Sequence, residues 1–134
     1  MLNKVVVRFI DGAVARGYTT DFNPNKEVFH LIVKTKQGEK PFIVRTRALK
    51  AIFFVKDLNG NGHSSLKKSF DDFKSIRVYG KRVKVEFIDG EILYGVTNGY
   101  SVQRQGFFFN PIDKASNNER IFVILTALKE ITFL

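Results

Sequence analysis

The sequence contains no cysteine. That excludes disulfides, thiol catalysis and cysteine-ligated metal, and it fits a reducing cytoplasm, the expected location. Histidine is nearly absent too: His30 falls on an expected strand and His63 in a linker. Neither has the partners that an acid–base pair or a metal site requires, so a surface or structural role is expected for each. There is no Gly-x-x-x-x-Gly-Lys phosphate loop and no dinucleotide fingerprint. No stretch approaches the roughly 20 apolar residues of a membrane span. The opening MLNKVVVRFIDG has a short apolar run broken by Arg8 and Asp11 and does not read as a signal peptide. The expectation is therefore no enzyme, no cofactor, no metal and no membrane.

What is present is apolar material for a core, 44% of 134 residues, and a formal charge of +9. The charge is uneven. Residues 1–56 carry 11 basic and 4 acidic side chains, residues 57–76 carry 3 of each, and residues 77–134 carry 8 basic and 6 acidic. A basic surface attracts nucleic acid, anionic lipid or an acidic protein, and it also simply confers solubility.

The chain repeats itself. Shifted by 78 positions, Val5, Val7, Phe9, Asp11, Gly12, Gly17, Thr19 and Phe29 fall on Val83, Val85, Phe87, Asp89, Gly90, Gly95, Thr97 and Phe107. Shifted by 79, Val44, Ala48, Leu49, Lys50, Ile52 and Phe54 fall on Val123, Ala127, Leu128, Lys129, Ile131 and Phe133. The unit is roughly 55 residues long. Alternation at Val5, Val7 and Phe9, and at Val83, Val85 and Phe87, has the period of a half-buried strand. Asp11-Gly12 and Asp89-Gly90 supply hairpin turns, which explains both carboxylates without catalysis. Gly17 and Gly95 inside the next strand mark a sharp bend. Further strands are expected over Phe29–Val33, Phe42–Arg47 and Ile52–Val55, and over Phe107–Phe109, Ile121–Leu125 and Ile131–Leu134.

The expected fold is all-β: two tandem five-stranded SH3/Sm-like small barrels related by an internal repeat. Residues 1–56 form the first, 57–76 a linker and 77–134 the second. In the linker, Leu66, Phe70 and Phe73 recur at the spacing of a short amphipathic helix. Asp57-Leu58-Asn59-Gly60-Asn61-Gly62 opens like a calcium loop, but the twelfth position, where a bidentate Glu belongs, is Lys68, so a glycine-rich linker is favoured.

The segments VVVRFIDG, GYTTDFNPNKEVFHL and LKAIFFVKD, followed by VKVEFIDGEILYG and ERIFVILTALKEITFL, resemble a bacterial tandem-repeat family of unknown function. The resemblance covers nearly the whole chain and implies a regulatory setting. A weaker resemblance is to Sm-like barrels: Asp11-Gly12, Gly17 and Phe22, and again Asp89-Gly90, Gly95 and Tyr100, keep the spacing of the first Sm motif. The RNA-gripping Asn position reads as Glu27 and Gln105, and the Arg-Gly position as Arg45-Thr46 and Ile124-Leu125. The resemblance thus implies a fold without the RNA grip.

Candidate contact residues lie in the first unit. Lys34, Lys36, Lys40, Arg45, Arg47 and Lys50 flank one expected turn. Alternation places Lys34 with Lys36 and Arg45 with Arg47, an anion- or partner-binding face if it is not merely solvated. Phe53 and Phe108 point outward by the same alternation, and leaving a large aromatic wet costs roughly 2 kcal/mol. The other repeat is the first candidate to cover them, a homodimer contact the second and base stacking the third. The loop Ser116–Arg120 reads as a turn more readily than as a recognition loop. The expected function is a non-catalytic binding or adaptor module in bacterial regulation, with an unknown protein partner or anionic ligand. The alternative is a Sm-like nucleic-acid (RNA) binding protein.

Overall fold

The apolar alternation of the sequence resolves into strands throughout the computed structural model, which describes residues 2–60, 80–101, 104–113 and 115–134. In chain order these are β1 (Asn3–Phe9), β2 (Val14–Thr19), β3 (Val28–Thr35), β4 (Gly38–Arg45), β5 (Leu49–Val55), β6 (Lys81–Phe87), β7 (Ile92–Thr97), β8 (Gly106–Pro111), β9 (Asn118–Ile124) and β10 (Leu128–Phe133). The only other regular elements among the described residues are single 3₁₀ turns at Thr46–Ala48 and Leu125–Ala127. These turns end the fourth strand of each half earlier, and start the fifth earlier, than alternation alone suggests.

The two halves are built alike. β1 pairs β2 with Val5 opposite Gly17, and β6 pairs β7 with Val83 opposite Gly95. The fifth strand of each half lies against the first, and both ladders slip at the same place, with Phe9 reaching Leu49 and Phe87 reaching Leu128. At each hairpin tip a glycine holds positive φ, 96° at Gly12 and 95° at Gly90, the backbone that tight strand turns require. At Gly17 and Gly95 the reason for glycine is space. A Cβ on Gly17 would collide with the Ile32 carbonyl, and one on Gly95 with the Asn110 carbonyl and the Phe109 ring.

The expected pair of five-stranded barrels packed against each other is not what the connectivity gives. All ten strands form one antiparallel sheet in the order β10-β6-β7-β8-β9-β5-β1-β2-β3-β4, and it does not close on itself. The outer side of β5 is taken by β9 of the other half, with Ala51 opposite Val123 and Phe53 opposite Ile121. Hydrogen bonds that would close a half on itself are thus made across the seam.

The seam strands are buried on both faces, as their unbroken apolar runs require. Ile52 and Phe54 of β5, with Phe122 and Ile124 of β9, join Val5, Val7, Phe29 and Leu31 in one core. Ala51, Phe53 and Val55 of β5, with Ile121 and Val123 of β9, turn the other way and join Val83, Val85, Phe87 and Phe107 in the second. Each core therefore borrows side chains from the opposite half.

The linker expectations fall mostly outside the described residues: the helix over Leu66–Phe73, His63 and Lys68 all do. The linker entrance is described. Asp57 accepts from the Asn59 backbone N–H, and its own backbone N–H and carbonyl are bonded by the Asn117 side-chain amide.

Candidate functional site

The six basic residues singled out by sequence do not form one face. β3 stops at Thr35, so Lys36 sits in the two-residue turn before Gly38 rather than beside Lys34. Lys34 lies opposite Glu39, and Lys40 opposite Val33 on the other side of the hairpin. Arg45 ends β4, six pair positions from Lys34, roughly 20 Å along the strands. Arg47 lies in the 3₁₀ turn and contacts Glu27 at 3.3 Å, both ends well exposed. Five of the six are thus exposed but spread over both faces and the tip of β3–β4.

Lys50 is elsewhere. Its side chain is buried on β5, and its Nζ donates to Asp89 Oδ2 at 2.7 Å and to Glu91 Oε1, both on the β6–β7 hairpin. It also lies 4.6 Å from the centre of the Phe87 ring. The hydrogen bond from Lys50, with a second from the Glu91 backbone N–H, holds the Asp89 carboxyl below its ordinary range against the opposing effect of partial burial. Lys50 ties the two halves together.

Phe53 is buried in the second half's core. Phe108 packs against the first half's core, 5.8 Å from Phe54 and 4.9 Å from Phe122. Each aromatic is covered by the opposite repeat. Arg120 caps this cluster, its guanidinium 4.3 Å from the Phe54 ring centre and 4.7 Å from Phe108. The loop around Ser116–Arg120 is tied inward: Ser116 Oγ accepts from the Asn118 N–H, and Asn117 holds Asp57. Gln105, one of the positions compared with the RNA-gripping asparagine, donates to the Pro24 and Lys26 carbonyls. His30 bonds Asp21 Oδ2 at 2.7 Å. Partial burial raises the Asp21 pKa, but hydrogen bonds from the His30 side chain and backbone and from Thr19 outweigh it, so the carboxyl lies below its ordinary range.

Two features remain as sites. One is a half-open cavity of about 620 Å³ between the halves, lined among others by Arg8, Arg16 and Phe53 of the first half and Tyr94, Phe109 and Asp113 of the second. Among the described residues no histidine lines it, and no group of metal-ligating side chains occurs. The other is β4. Among the described residues it pairs only with β3, and on it Phe42 is 49% and Ile43 69% exposed. An unpaired strand edge with two large apolar side chains is the most contact-prone surface of a sheet.

A model of a family of unknown function (DUF6982) matches residues 1–134. The chain belongs to that family. No curated protein and no solved structure matches it. Among the described residues, no helix is long and apolar enough to cross a membrane.

Sequence reasoning missed β4 as an edge, although a comparison of the copies carries the signal. At matched positions one copy is apolar and the other polar: Ala51 and Glu130, Phe53 and Thr132, Ile124 and Arg45, Phe108 and His30. The apolar member of each pair lies at the seam, on β5, β8 or β9.

Proposed function

We propose that this chain is a non-catalytic protein-binding module that takes a partner strand onto β4. The carrying observation is the open edge of β4 with Phe42 and Ile43 exposed on it. Added strands gain affinity from backbone hydrogen bonds and specificity from alternate side chains. Lys34, Lys36, Lys40 and Arg45 surround this edge and favour a partner segment that carries acidic residues. In this reading the halves descend from a Sm/SH3-like small-barrel unit, opened so that one copy's fourth strand meets the other copy's fifth. Nucleic acid is the weaker reading, because the basic side chains are dispersed along the hairpin rather than aligned along a path for phosphates.

The test is site-specific photo-crosslinking in the native host. A photoreactive residue at position 43 is expected to give protein adducts, and one at Ile88, equally exposed on the β6–β7 turn, is not. Nuclease-sensitive adducts at position 43, or none, would overturn the proposal.

A further inference from the structure

We infer that the strand taken up by β4 is β10 of a second copy of this chain, so that copies join head to tail and reproduce between molecules the seam present within each. This rests on the reading of β4 as a contact strand and names its occupant. By the internal repeat, β4 is the counterpart of β9, and β10 the counterpart of β5. Within the chain β9 pairs with β5; among the described residues β4 and β10 are the two open ends of the sheet. One end of the molecule is thus the counterpart of what the other end lacks.

The aromatic packing repeats in the same way. In the first half Phe22 meets Phe29 at 5.3 Å and Phe54 at 5.8 Å, edge to face. In the second half their counterparts do the same, Tyr100 meeting Phe107 at 5.3 Å and Phe133 at 5.2 Å. The first trio is covered by Phe108, Phe122 and Arg120 from the opposite half. Among the described residues no aromatic side chain of the opposite half covers the second trio; only Lys81 lies over it, 6.0 Å from the Phe133 ring centre, and Phe133 is 45% exposed. The counterparts of the covering residues are His30, Ile43 and Pro41, which sit exposed on β3 and β4.

The internal ladder also supplies a register. Ile52 opposite Phe122 becomes Ile131 opposite Ile43, and Phe53 opposite Ile121 becomes Thr132 opposite Phe42. The Lys50–Asp89 contact becomes Lys129 of one copy reaching Asp11 of the next. Among the described residues Lys129 has only a 3.6 Å contact with Glu86, and the Asp11 carboxylate accepts only from the Ala13 N–H. The substitutions between copies keep each end soluble on its own. Glu130 and Thr132 replace Ala51 and Phe53, Arg45 replaces Ile124, and Pro41 offers no N–H. The joint between molecules is therefore weaker than the internal one and reversible. Because it links two different surfaces, it propagates into a ring or an open chain rather than a two-fold dimer.

The absence of cysteine makes the test clean. Phe42→Cys and Thr132→Cys proteins, mixed in equal amounts and oxidised mildly, are expected to give predominantly the mixed 42–132 disulfide, identified by peptide mass spectrometry. Directly opposed strand residues have the spacing a disulfide needs. Predominant 42–42 or 132–132 disulfides would overturn the head-to-tail arrangement. So would sedimentation as a monomer at the highest soluble concentration of the unmodified protein. In sedimentation, Asp11→Lys and Lys129→Asp are each expected to weaken association about fivefold. The two changes in one chain should restore it, and failure to restore it overturns the register. Adducts at position 43 that contain other proteins but never this chain would leave the binding proposal standing and remove this one.

Discussion

β9 and β4 are the same strand of the repeat in two settings. In β9, Ile121, Phe122, Val123 and Ile124 are all buried; in β4 their counterparts Phe42, Ile43 and Arg45 are exposed and only Val44 is buried. β5 and β10 differ likewise, the first buried along its whole length and the second half open. Similar sequences thus read as core or as surface according to whether a neighbouring strand arrives. A strand's burial here is a property of its position in the sheet.

The largest test of that contrast sets Phe122→Ala against Ile43→Ala. Phe122 is 1% exposed and packs against Phe22 and Phe108, so its truncation is expected to destabilise by about 3–5 kcal/mol. Ile43→Ala should change stability by less than about 0.5 kcal/mol. Urea unfolding of dilute protein measures both, and equal losses would break the comparison.

The paired lysines sharpen it. Lys50→Met leaves Asp89 and Glu91 without their cation and is expected to destabilise by about 1–3 kcal/mol. Lys129→Met, at an exposed 3.6 Å contact, should lose under about 1 kcal/mol. The first effect depends on pH. The folded pKa of Asp89 is depressed, so its contribution is present above the unfolded value, about 3.9, and is lost as pH falls through the folded value. The gap between the original protein and Lys50→Met should therefore narrow on acidification below about pH 4. Urea midpoints at neutral and acid pH would show whether it does.

The smallest expected effect is a gain. Thr46, whose counterpart is Leu125, is fully buried, and its hydroxyl has no hydrogen-bond partner among the described residues. Thr46→Val should stabilise by up to about 1 kcal/mol, read as a rise in thermal midpoint. A loss would mean that the hydroxyl is satisfied.

Much of the fold was legible because strand alternation and Asp-Gly turns are local signals. Val83, Val85 and Phe87 point to one side because successive residues of a strand alternate, whatever lies beyond them. The joining of the halves was not legible in either copy alone. The run Ala51–Val55 announces a strand buried on both faces but does not say which strand covers it. The placement of the basic residues was not legible for a related reason. Alternation paired Lys34 with Lys36, but the turn after Thr35 ended the strand between them. Phe53 and Phe108 were readable as aromatics in need of cover, since their exposure would be costly wherever the partner came from.

The seam also sets the order in which the molecule can be made. Ala51 and Phe53 are synthesised before β9, the strand they pair with across the seam, which follows only after β6, β7 and β8. A nascent chain holding only the first half has neither its own core complete nor the one to which it contributes. Such distant pairing slows folding, and it delays commitment until β9 has been made and can reach β5. Acquisition of structure would then wait for the second half, with no separately folding front half before it.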